Sequence, residues 1–154
     1  MQAKYSHTGF TLLEIMIVVA IVGLLLAIAI PSFFLARHNT ENAQFINDLR
    51  VACAAFQNYT MDVGHYPPDG QPGVVPPGMD AYLAGMHWTE TTPVGGQWDW
   101  DYQTFGFTAG VSVYFGAAMQ DDRMLEIDQK IDDGNLATGS FRKRSQGYIS
   151  IIEP

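Results

Sequence analysis

The first residue whose type and place call for chemistry is Glu14, the single charged residue between Gly9 and Ala36. A carboxylate within such an apolar stretch is costly, roughly 2.5–3.5 kcal/mol at mid-membrane on insertion scales, so it needs a partner. A helix N-terminus favours an anion there, and a cation four residues earlier would lie one helical turn away. A second constellation is Asp128, Asp132 and Asp133, with Asn135 just beyond Gly134. Several oxygen donors at a glycine turn suit a hard cation, although the spacing of the twelve-residue calcium loop is absent. The competing expectation is that Asp132 or Asp133 caps backbone amides after a helix, as short aspartate side chains readily do.

Other reactive groups are sparse. The sequence has no helical His-Glu-x-x-His pair, no Gly-x-Ser-x-Gly elbow and no phosphate-cradling glycine loop. His38, His65 and His87 are dispersed. The single Cys53 excludes an intrachain disulfide and a four-cysteine zinc site, and its place on an apolar stripe reads as a small core residue. Sixteen Asp and Glu against eight Lys and Arg give a net charge of −8. That is the wrong sign for binding a phosphate backbone, so nucleic acid is not an expected partner.

The elements that must position these groups begin with Ile15–Ala36, 22 uncharged residues whose only hydroxyl is Ser32. As a helix they rise roughly 33 Å, enough to cross a hydrocarbon core of about 30 Å. Residues 1–9 contain Lys4 and His7 but no acid, which keeps them cytoplasmic and sends the acidic remainder outward. Gly23 and Pro31 each weaken the apolar helix and mark a kink or a locally melting segment.

The string Gly9-Phe10-Thr11-Leu12-Leu13-Glu14, continued through Ile30-Pro31, closely resembles the N-terminus of type IV prepilins and type II secretion pseudopilins. The likeness covers the first third of the chain. It combines a short basic leader, a Gly-Phe junction, an acid five residues into the mature chain and a proline closing the apolar run. The resemblance implies cleavage after Gly9 by a prepilin peptidase that also N-methylates Phe10. It implies that Glu14 neutralises the Phe10 amine of a neighbouring subunit during assembly, and that the helix loses order between Gly23 and Pro31 in the filament. Expected partners are copies of the chain, other pilins, the prepilin peptidase/methyltransferase and an inner-membrane assembly platform. Major pseudopilins bind calcium in C-terminal loops, so the resemblance makes calcium the cation to expect if the oxygen donors of Asp128, Asp132 and Asp133 hold one, although these residues are not matched to the family's ligands.

Beyond Pro31, apolar residues at Phe45, Leu49, Ala52, Phe56 and Tyr59 fall on one helical face, widened by Ile46 and Cys53. The spacing predicts one long helix from Phe10 to Met61, ended by Gly64. A loop with five prolines follows at 66–78, read as a connector over a sheet or as a polyproline ligand, and a short helix over 79–85. Trp98, Trp100 and Tyr102 alternate with Asp99 and Asp101, which predicts a half-buried strand after a Gly95-Gly96 turn. Phe105–Phe115 reads as a second strand, Met119–Ile131 as a capped helix, and Ser140–Arg144 with Tyr148–Ile152 as a terminal hairpin. The expected class is α+β: a long N-terminal helix packed on a small antiparallel sheet, a pilin-like ladle. Residues 1–9 form a leader, 10–36 a membrane and filament-core helix, and 37–154 a globular domain.

The leading reading is a structural subunit, not an enzyme, of a type IV pilus or secretion pseudopilus. It starts in the cytoplasmic membrane with its C-terminal domain outside and ends in a periplasmic or surface filament. The alternative is a membrane-anchored extracytoplasmic binding module or enzyme with an aromatic strand as its ligand surface.

Overall fold

The computed structural model describes residues 10–154, so residues 1–9, with the expected cleavage position at Gly9, lie outside the described residues. The chain divides into two units at Asn39/Thr40. Helix α1 (Leu12–Val63) contributes to both. Its N-terminal half is apolar all round and among its described residues carries Leu24, Ile28 and Phe33 at 67%, 68% and 65% exposure. This stretch is long and apolar enough to cross a membrane.

In the second unit, the C-terminal half of α1 buries Phe45, Ile46, Leu49, Ala52, Phe56 and Tyr59, the stripe that the helical spacing predicts. Gly64, at φ +87°, ends the helix where a side chain would be strained. The stripe packs on a sheet of order β1-β2-β4-β3, antiparallel throughout: β1 (Gln97–Tyr102), β2 (Ala109–Tyr114), β3 (Phe141–Arg144) and β4 (Gly147–Glu153). Phe56 stacks on Trp100 at 3.8 Å and Phe45 on Trp98 at 5.2 Å, so aromatic residues of helix and strand interleave to form the core. Helix α2 (Asp121–Ile131) adds Met124 and Ile127 to it.

The proline-rich loop lies along the free edge of β1. Gly70 N–H and Gly73 N–H donate to the Trp100 and Trp98 carbonyls at 3.0 and 2.7 Å, and Trp100 Nε1 donates to Pro67 O at 3.1 Å. These bonds satisfy an edge that would otherwise invite pairing with another chain. The C-terminal strand is held without a disulfide: β4 is an interior strand, and Thr108 bonds the carbonyls of Glu153 and Pro154.

Three sequence expectations are corrected. Residues 79–85 form successive turns, with Tyr82 and Leu83 N–H both donating to Met79 O, because Gly78 and Gly85 bracket too few residues for a helix. The second strand begins at Ala109 rather than Phe105, since Gln103 and Phe105 adopt φ of 55° and 50° and turn the chain. Lastly, β1 is buried on both faces: Asp99 and Asp101, at 5% and 6% exposure, are not its solvent side.

Candidate functional site

The N-terminal site is built around the start of α1. Thr11 stands at the N-cap and Glu14 at the third helical position. Thr11 N–H and Oγ1–H both donate to Glu14 Oε2 at 2.8 Å, and Glu14 N–H donates to Thr11 Oγ1 at 3.2 Å. This is a reciprocal capping box, and its Thr-x-x-Glu signature is readable in the sequence. Phe10 immediately precedes it and is 79% exposed. Glu14 thus has local donors, and its side chain stays at the exposed helix end.

Gly23 and Pro31 lie within unbroken helix. Pro31 has no amide hydrogen, so the Ala27 carbonyl lacks its usual donor, and Ser32 Oγ donates to Ile28 O at 3.2 Å one residue further on. That part of the ladder is one hydrogen bond short.

The acidic turn follows α2. Ligand oxygens of Asp128, Asp132 and Asp133 lie within 4.8 Å of one another. Asp132 Oδ2 accepts from the backbone amides of Ser140 and Phe141, the latter at 2.9 Å. Asp133 accepts from Asn135 N–H at 2.9 Å and from the Thr138 hydroxyl at 2.6 Å. Two of the three acids therefore cap the turn. Asp128 differs: it is fully buried, and neither carboxylate oxygen has a hydrogen-bond partner among the described residues. Burial pushes its pKa up, and the charges of Asp132 and Asp133 push it further, against a weaker pull from the Asn135 and Gly134 amides. Asp132 is shifted the other way by the Phe141 amide. A buried orphan carboxylate beside two others is a donor set suited to a hard cation.

A fourth group was hidden from the sequence reading. On the sheet face away from α1, Arg144 Nη2 donates to Asp99 Oδ2 at 2.6 Å and Arg144 Nε lies 3.0 Å from both Asp101 Oδ2 and Ser112 Oγ. Its guanidinium also lies over the Phe105 ring at 4.8 Å. Arg144 comes 45 residues after Asp99, and no local pattern links them. Cys53 is half-buried, its Sγ 3.7 Å from Ser150 Oγ, and burial pushes the thiol pKa up, as befits a packing residue.

Against known families, residues 5–30 match the prokaryotic N-terminal methylation motif. The chain is 32% identical over 71 residues to type II secretion system core protein G of Escherichia coli K12, covering 46% of this chain and 49% of that protein. It is 30% identical over 80 residues to the core protein G of Aeromonas hydrophila, covering 52% of each. To the type IV major pilin protein PilE1 of Neisseria gonorrhoeae it is 36% identical over 74 residues, covering 47% of this chain and 34% of that one. The chain spans about half the length of the core G relatives it matches. No solved structure matches it significantly. The expected resemblance to prepilins and pseudopilins is thus borne out, as is the α+β class with its long N-terminal helix.

Proposed function

We propose that the chain is a filament subunit of a type II secretion pseudopilus or a type IV pilus. It is held in the cytoplasmic membrane by residues 10–36, cut after Gly9 and N-methylated at Phe10 by a prepilin peptidase, then drawn into a helical filament on an inner-membrane assembly platform. The observation that carries this reading is the methylation motif at residues 5–30, which takes in the first turns of an apolar helix whose side chains are exposed. Such a surface is stable only when covered, first by lipid and then by the same surface of other copies. Cleavage creates an amine at Phe10. In the low dielectric of a helix bundle, a neighbour's Glu14 is its natural counter-ion, and the weak stretch between Gly23 and Pro31 lets the helix adapt. Electron microscopy of cells expressing the chain, with immunolabelling, tests this: labelled filaments support it. A processed chain confined to the membrane as single copies favours the anchored binding module or enzyme instead.

A second, independent reading is that Asp128, Asp132 and Asp133 hold calcium. Its support is the buried Asp128 carboxylate, which has no hydrogen-bond partner among the described residues. A divalent ion would neutralise the excess negative charge and tie the end of α2 to the start of β3 through Asp132, which already bonds Ser140 and Phe141.

A further inference from the structure

The sheet face opposite α1 encloses more negative than positive charge. Asp99 and Asp101 from β1 share one guanidinium, Arg144 of β3, and Ser112 of β2 donates its hydroxyl to Asp101. Arg144 is 9% exposed and pairs with Gly147 of β4 in the strand register. The Oδ1 of Asp99 is buried without a hydrogen-bond partner among the described residues. The segment 103–108 lies against this group where Phe105 meets the Arg144 guanidinium. It is anchored by Phe105 stacked on Arg144 and by Phe107 beneath the Arg142 guanidinium at 5.5 Å. Gln103 and Phe105 both take left-handed backbone conformations to make the cover, an arrangement L side chains rarely adopt. A strained cover thus lies over a buried, unbalanced pair of carboxylates.

We propose that Asp99, Asp101, Ser112 and Arg144 form a proton-set latch that closes segment 103–108 over the sheet when the two carboxylates take up one proton, and lets it open when both are charged. With both ionised, opening hydrates the excess charge and the orphaned Asp99 oxygen; with one proton bound, that drive is gone. The groups facing the pair are Asp69 from the loop after α1, Ser112 from β2 and Arg144 from β3. β4 and the cover contribute no charge, only Gly147, Ile149 and Phe105. Burial pushes Asp101 up to about 6, with Asp99 and Asp69 adding to the rise and Ser112 and Arg144 opposing it. Asp99 moves in the same direction, mainly by burial. The closed state therefore binds the proton more tightly than the open one, so closure strengthens as pH falls through about 6 and weakens above it.

Chymotrypsin cleavage after Phe105 and Phe107 in the full processed chain in detergent reads the open state. The cuts are mapped by mass spectrometry, and rates are divided by those of an unfolded peptide spanning 101–110 at the same pH. Single-site linkage gives about a fourfold slower normalised cleavage at about pH 5.5 than at about pH 7.5. Asp101→Asn is expected to be cut slowly at both. Equal normalised rates for the unmodified chain at the two pH values would overturn the latch, as would an undiminished pH dependence in Asp101→Asn. Should that variant fail to show the native tryptophan emission, Asp99→Asn, which removes a charge from the same pair, must flatten the dependence, and its failure to do so would count equally against the latch.

Discussion

The two halves of α1 are both rich in apolar residues, yet one finds its cover within the chain and the other does not. Phe45, Ala52 and Phe56 are fully buried against the sheet, whereas Leu24, Ile28 and Phe33, in the same helix, are about two-thirds exposed. The difference is one of pattern. Beyond residue 40 the apolar positions recur at three and four and leave polar residues between them, so a single face must be covered and one small sheet suffices. From Ile15 to Ala36 the helix is apolar on every side, and only a surrounding solvent of lipid or a ring of other helices can satisfy it. A helix with one partner inside and another outside is what a subunit that leaves a membrane for a filament requires.

The sharpest way to break that comparison is at Glu14, the one charge between Phe10 and Ala36. Glu14→Leu is expected to insert and to be cleaved normally but to form almost no filaments, since each Phe10 amine loses its counter-ion. Leucine also removes the capping box with Thr11, so Glu14→Gln is the discriminating variant: glutamine keeps the reciprocal bonds at this helix position and drops only the charge. Filament counts and membrane fractionation should show both variants equally defective. Normal filaments from Glu14→Gln would assign the residue to helix capping rather than to docking.

The next largest effect separates the halves by stability. Phe56→Ala removes a fully buried ring stacked on Trp100 and should cost about 3–5 kcal/mol. Leu24→Ala should leave the unfolding of the sheet domain unchanged. All three tryptophans, Trp88, Trp98 and Trp100, lie in that domain, so their emission on heating reports it alone. A comparable loss from Leu24→Ala would mean that the two halves fold as one.

How much of this was legible follows from how far the determining contacts lie in sequence. The stripe Phe45–Tyr59, the Gly95-Gly96 turn and the terminal hairpin are written in spacings of two, three and four, and they fold as read. The Thr11–Glu14 box is equally local. Asp99 and Asp101 misled because alternation assigns one strand face to solvent; here a turn at Gln103–Phe105 folds the chain back over that face and Arg144 arrives from a distant strand. The acidic turn was readable as a group, but its internal division was not. Only the three-dimensional packing shows Asp132 and Asp133 satisfied by the turn and Asp128 left over.

That division shapes the calcium experiment. Millimolar calcium should raise the melting temperature of the sheet domain by a few degrees through linkage to the folded state, and Asp128→Asn should lose the increment with little change in the unliganded melt. Asp132→Ala, by contrast, should lower the melt with or without calcium, because it strips the Ser140 and Phe141 amides of their acceptor. An unchanged melt across millimolar calcium would leave turn capping by Asp132 and Asp133 as the only role of this cluster.

The smallest expected effect is the pH profile of the same melt. The raised pKa of Asp101, at about 6, means that the folded state gains stability as pH falls from neutral toward the ordinary aspartate range. Asp121, held low by hydrogen bonds from Lys143 and Tyr148, works the other way: its contribution is present above its ordinary pKa and is lost as pH falls through the lowered one. Stability should therefore peak near pH 5, and Asp101→Asn should flatten the neutral side of the profile. A melt that instead rises steadily from pH 5 to 8 would contradict the assignment.

The most direct test of the filament-subunit account is the mass of the N-terminal peptide of the protein recovered from membranes of cells that carry a prepilin peptidase. The account expects a chain that begins at N-methylated Phe10, and expects Gly9→Val, which crowds the backbone where the peptidase must approach, to accumulate with its leader attached. Recovery of the mature protein with residues 1–9 intact would contradict it, since the amine that Glu14 is proposed to neutralise would never have formed.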